Sequence, residues 1–311
     1  MKARRQFREE TITALPRIPR RGRKENLSEV RAAWLMLLPA ILLLLAVRLA
    51  PILQAVWGSF IEPGRGGHEP TLGLGNYVFL FKQYPTFINS VVTTVKLVVL
   101  AVAVQTGLAL AMAVLLARQM RAVGLMRTII LLPLAVPVAA STTVWGIILR
   151  PEGPLNAVLA LVGIEQQPLL TSSSQSLSSI VLILTWIVAG YWMTVLTAGL
   201  YDIPRELYEA ATIDGGGRWQ VFRSITLPLL RRPLLFVVVA STVSNFLAFA
   251  PAQILTRGGP AGSTNVIMYE IYTQAFTNFD LSLASAEITI VLLVLGALVS
   301  VQFRLLGKEQ S

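Results

Sequence analysis

The sequence predicts an all-α fold, a polytopic membrane protein whose helices cross the bilayer six times. Three observations predict it. Hydrophobic residues make up 54% of the 311-residue chain and charged residues 14%, against roughly 25% charged in a soluble domain. The apolar residues are gathered into six runs, each near or above the roughly 20 residues needed to cross. Backbone groups in lipid have to be paired within their own segment, so each run is read as a helix.

Residues 1–31 form a basic arm with ten Lys or Arg side chains, read as a disordered cytoplasmic tail. The six predicted spans then fall at about 32–60, 86–117, 127–149, 178–201, 234–254 and 284–304, and residues 305–311 are a short tail. The first run is far longer than a signal-peptide core and lacks a small-residue cleavage site behind it. Pro39, Pro51, Pro133 and Pro137 are expected to kink or end the turns they occupy. Between the spans, residues 61–85 are Gly-rich and read as partly helical after Tyr77, 150–177 carry Pro151, Pro154 and a Thr171–Ser174 polar run, and 255–283 begin with LTRGGP.

Orientation follows from Lys and Arg, which concentrate on the cytoplasmic side. With the N-terminus inside, twenty basic residues fall on that side and four (Arg65, Lys82, Arg150 and Arg257) outside, while Arg48 and Lys96 lie within spans. The net charge of +10 is thereby assigned to the membrane and its anionic lipid rather than to nucleic acid. The chain has no Cys and one His, His68, in a Gly- and Pro-containing loop. That composition leaves no raw material for a thiolate metal site, a His-based zinc site or a Ser–His nucleophile. No G-x-x-x-x-G-K-[ST] occurs, so nothing in the chain cradles nucleotide phosphates as a P-loop does.

The longest polar, patterned stretch lies between the fourth and fifth spans, at about 202–233. It reads ELYEAATIDGGGRWQVFRSITLPLLRRP from Glu206. Pro204 suits the first turn of a helix, where its missing N–H would be unpaired anyway. Gly215, Gly216 and Gly217 stop that helix and permit positive φ. Trp219, Phe222, Ile225 and Thr226 recur at spacings of three and four, so a second amphipathic helix follows, with Pro228 and Pro233 expected to end it. The product is a helix–bend–helix elbow at the membrane surface.

Glu209-Ala210-Ala211, Asp214-Gly215, Phe222, Leu227-Pro228 and Pro233 in this register resemble the EAA loop of ATP-binding-cassette (ABC) importer permeases. The family usually has Gly-Ala where Gly215-Gly216 stand, which bears on the tightness of the bend. The Leu255-Thr256-Arg257-Gly258-Gly259-Pro260 segment resembles a loop of the maltose, multiple-sugar and glycerol-phosphate subfamily. The two resemblances cover about residues 86–304, which is the type I importer permease fold. They imply that Glu206, Glu209, Ala210, Ala211, Asp214, Gly215, Phe222 and Pro228 couple the chain to an ATPase. They also imply that Thr256, Gly258, Gly259 and Pro260 face an external solute-binding protein.

The implied partners are a second permease, an ATPase dimer that holds the ATP and Mg, the binding protein, and a sugar or sugar-like solute. The chain itself is then neither an enzyme nor a cofactor holder, and it lies in a prokaryotic inner membrane with both termini cytoplasmic. Polar side chains inside spans are costly and face a cavity or another helix. Ser241 and Asn245 share one helical face, and the fourth span carries Thr185, Trp186, Tyr191 and Trp192. In the maltose-type permease the positions of Tyr191, Ser241 and Asn245 line the sugar site, while Ala248 and Thr185 each replace an asparagine. Aromatic rings with amides and hydroxyls suit a saccharide, though Ser, Thr and Asn also bond between membrane helices. Arg48 and Lys96 keep an anionic solute such as glycerol phosphate open, and a peptide remains a further alternative. Glu287, in the sixth span, reads as a partner of an Arg. A secondary transporter would use such a carboxylate in a proton relay and would show internal repeats; no repeats are evident.

Overall fold

The computed structural model of the chain describes residues 27–62, 69–117 and 122–307. The basic arm up to residue 26, His68, Arg65, Arg118, Arg121 and the last four residues lie outside them. The chain divides into two compact units, Met1–Gln54 and Ala55–Ser311. The described part of the first unit is helical, Leu27–Leu44 followed by a π-helical turn at Leu45–Leu49. The helix continues as Ala50–Gly58, so the first span runs Trp34–Gly58. Of the two expected outcomes, a kink or an end, the helix does not end at Pro39 or Pro51. Pro51 lacks the N–H that would bond Val47, and the wider π turn ahead of it absorbs that missing bond.

The second unit holds the remaining spans. The second is Pro85–Leu116, the fourth Ser176–Tyr201 and the sixth Leu281–Leu305. The third is broken: Val123–Ala135 and Val138–Ile148 meet at 100°. Pro137 sits at the corner with ψ 137°, an extended value that stops a helix, and Pro133 lies in a 3-10 turn, Leu132–Ala135. The fifth, Arg231–Phe246, ends well before residue 254. The ring of Pro251 would press on the carbonyl of Leu247, so the chain opens at 247–249 before a π turn at Ala252–Thr256. Among the described residues, four helices are long and apolar enough to cross a membrane, and six crossings result when each of the two bent pairs is taken as one span.

The second and fourth spans form the centre. Ala109, Ala113 and Leu116 pack on Trp192, Met193 and Leu196, with Val237 of the fifth span closing the cluster. Small residues on the second span allow this close approach. The third span also lies close against the fourth: a Cβ at Gly190 would lie 2.3 Å from the carbonyl oxygen of Ile130. A second cluster around Leu80, Phe87, Ile267, Ile271 and Leu283 ties the sixth span to the opposite end. There a two-stranded hairpin, Ile61–Glu62 with Thr71–Leu72, precedes a short helix, Gly75–Lys82.

Candidate functional site

The elbow forms as its residues dictate. Pro204 is the cap rather than the first helical residue (φ −58°, ψ 134°), and the helix is Arg205–Ile213. Its C-terminus closes in a Schellman motif: Gly216 N–H donates to Ala211 C=O at 2.9 Å and Gly215 N–H to Thr212 C=O at 3.1 Å. The motif requires a left-handed residue, which is Gly215 at φ +77°. Gly216 is also required, since a Cβ there would meet the Ala211 carbonyl at 2.9 Å.

The second helix starts at Arg218 and passes through Pro228 instead of stopping there. A π turn at Phe222–Thr226 precedes Pro228 as one precedes Pro51, and Leu227–Leu229 remain helical. Pro233 lies in the first turn of the next helix, which leaves at 67°. The Tyr208 and Thr226 hydroxyls, 3.2 Å apart, join the two legs, and Trp219 stacks on Phe222 with centroids 5.6 Å apart.

Glu206, Glu209, Ala210, Asp214, Gly215 and Pro228 are exposed, and Ala211 and Phe222 half-buried. The apolar side chains Ile213 and Trp219 are 86% and 71% exposed. A cavity of about 920 Å³ separates this elbow from Leu110 and Val114 of the second span. The elbow thus presents acidic and apolar side chains together on one exposed surface.

In the membrane region Asn245 and Gln105 are both buried and exchange amide bonds, at 3.1 and 2.9 Å. Asn245 Nδ2 also donates to the Ser241 carbonyl at 2.7 Å. Ser241 is fully buried and donates its hydroxyl to Val238 C=O. Thr185 is buried with its hydroxyl unpartnered. Tyr191 alone of the four candidate solute residues is exposed, its ring against Trp192 at 4.8 Å. The structure thus joins Ser241 to Asn245 and leaves Tyr191 and Thr185 on a separate span, with no hydrogen bond to them among the described residues. Glu287 is buried and neither of its oxygens has a partner among the described residues, so the expected Arg is not beside it.

The loop after the fifth span turns through Arg257 at φ 48° and Gly258 at φ 79°, with a cis Gly259–Pro260 bond. Thr264 holds it, its hydroxyl donating to Gly259 C=O and lying 2.7 Å from the Thr256 hydroxyl. Gly258 is buried, Thr256, Gly259 and Pro260 half-buried. Behind the loop lies a network that sequence reasoning missed. Tyr84 donates to buried Glu270 at 2.7 Å. Gln274 donates to the same oxygen at 2.8 Å and Asn265 to the other at 2.7 Å. Burial first, then the hydrogen bond to Glu270, pushes the Tyr84 phenol well above its ordinary value. Residues 186 apart in sequence gave no local signal.

The fold is that of a multi-pass helical membrane protein with an exposed helix–bend–helix elbow ahead of its fifth span. The family described as the binding-protein-dependent transport system inner membrane component matches residues 105–310, and the chain belongs to that family. It is 32% identical over 279 residues to the sn-glycerol-3-phosphate transport system permease protein UgpA of Agrobacterium fabrum, covering 89% of this chain and 94% of that one. It is 31% identical to the trehalose/maltose permease protein MalF of Thermococcus litoralis, with 77% and 81% covered. To the lactose permease protein LacF of Rhizobium radiobacter it is 32% identical, with 86% and 91% covered. The fold is also that of a bacterial ABC transporter involved in import of the acidic polysaccharide alginate (TM-score 0.77, 21% identity, 92% and 99% covered).

Proposed function

We propose that this chain is one of two permease subunits of an ABC importer that takes up a neutral sugar or sugar-like solute. A binding protein delivers the solute outside, and a separate ATPase dimer holding ATP and Mg drives the cycle from the cytoplasm. The observation that carries the reading is the exposed elbow, a stiff helix pair on a Schellman turn, inside a chain of this permease family. ATP binding closes the ATPase dimer; the elbow moves with it, and spans two to five retilt. A nucleotide drives such a change only by favouring one state over the other, and the elbow transmits that preference.

The neutral character of the solute is supported by the interior. The buried charged side chains among the described residues are Glu270 and Glu287, and no Lys or Arg is buried. Among the described residues the interior therefore offers no buried cation to pair with an anion such as glycerol phosphate. Tyr191 offers the one exposed ring of the candidate set, for stacking on a sugar, while Ser241 and Asn245 are buried in the fifth span.

Two substitutions test the coupling. Gly215→Pro imposes φ near −65° where the turn needs +77°, and Glu209→Lys reverses a docking charge. Each is expected to abolish binding-protein-stimulated ATP hydrolysis while the chain still inserts and co-purifies with its partners. Normal stimulation in both would refute the elbow's role. Uptake by vesicles of a panel of neutral saccharides, with sn-glycerol 3-phosphate as the anionic competitor, decides the solute class.

A further inference from the structure

We propose that Arg127 is a positioning residue that makes the cytoplasmic ends of the second, third and fourth spans move as one body with the elbow. The proposal rests on the importer reading above. A helix leaves its last carbonyls unpaired, and the Leu116 carbonyl at the end of the second span is one of these. Arg127 Nη2 donates to it at 2.7 Å. The same nitrogen donates to the Tyr201 hydroxyl, and the guanidinium carbon lies 5.5 Å from the centroid of the Tyr201 ring. Arg127 itself belongs to Val123–Leu131, the first leg of the third span. Tyr201 is the last residue of the fourth span, and four residues later Arg205 opens the elbow helix. One side chain therefore holds three helix ends at the root of the coupling element.

Apolar packing at this end joins Ala113, Leu116, Val123 and Leu196. Packed apolar faces slide past one another in small shear steps; the two directional bonds from Arg127 Nη2 fix the register. A Lys would supply the charge but not the planar face that lies against the Tyr201 ring. Arg127 Nε is buried and unpartnered. A donor kept dry and unused is costly, so the side chain is held in this place by the bonds of Nη2 and by packing rather than by Nε.

The chain has no Cys, so Leu125→Cys and Ser224→Cys, both at exposed positions, give a spin-label pair spanning the clasp. Pulsed EPR on the complete complex in nanodiscs, without nucleotide and with ATP plus vanadate, reads their distance. In the parent chain the distribution is expected to be the same in both conditions. With Arg127→Ala it is expected to shift with nucleotide, with Arg127→Lys to shift partly, and with Tyr201→Phe, which keeps the ring and loses the acceptor, to broaden only with nucleotide. Equal broadening in both conditions, or no change in any variant, overturns the proposal. If Arg127→Ala fails to assemble, the Lys and Phe variants decide by the same criterion. A parent complex that hydrolyses no ATP defeats the importer reading itself; a parent that hydrolyses ATP but shows a nucleotide-dependent distance defeats the clasp alone.

Discussion

Asn245 is where residue chemistry and sequence reading diverge most. Its spacing from Ser241 on one helical face was legible, and so was the cost of placing an amide in a span. That the amide meets Gln105, 140 residues away, was not, because local periodicity carries no information about which helices become neighbours. The reciprocal pair predicts a non-additive result. Asn245→Leu strands the Gln105 amide at a cost of about 1–3 kcal/mol, whereas replacing both partners leaves no orphan. Uptake should therefore be impaired in Asn245→Leu and recover in the Gln105→Leu/Asn245→Leu double variant; no recovery would place Asn245 on the solute. Tyr84 gives a pH test. Its phenol is raised in the folded chain, so the unfolded chain loses the proton first. Stability from its bond to Glu270 is complete below about pH 10, the ordinary phenol value, and falls as pH rises above it. Protection factors of the amides at residues 265–274, which divide out the base-catalysed rise of intrinsic exchange, should be flat from neutral pH to about 9 and should fall by about pH 11; Tyr84→Phe should remove that fall.

At the scale of elements, the turn chemistry was the most readable part of the chain. Three glycines after an unbroken helical run specify a Schellman stop, and Gly215 adopts the positive φ this requires. Prolines were less readable, because their effect depends on what the preceding turn can do. Pro137 and Pro251 break their helices. Pro51 and Pro228 follow π turns, which remove the clash without ending the helix. The loop at Thr256–Pro260 yields a prediction of its own. Gly258 is at φ +79°, and a Cβ would lie 2.7 Å from the Tyr269 ring. Gly258→Ala then meets both an unfavourable left-handed backbone, about 1–2 kcal/mol, and a clash. Its expected result is faster proteolysis within residues 255–266 and weaker docking of the binding protein, with the spans intact; unchanged cleavage would show that the loop relaxes at no cost.

For the molecule as a whole, the six crossings were legible because lipid leaves the backbone one solution, and apolar length is written directly in the sequence. Orientation is the property that only charge addresses. Even without the basic arm, Lys and Arg favour the elbow side of the spans, and the attraction of that side to an anionic leaflet does not depend on the fold. The argument has a direct check in the Cys-free background. Ile213 at the elbow and Phe279 in the loop before the sixth span are 86% and 80% exposed, and an odd number of spans separates them. A membrane-impermeant maleimide should label Phe279→Cys in intact cells and Ile213→Cys only after permeabilisation. Labelling of both from outside would mean that the bent fifth span re-enters rather than crosses. The reversed pattern would put the elbow where no ATPase can reach it.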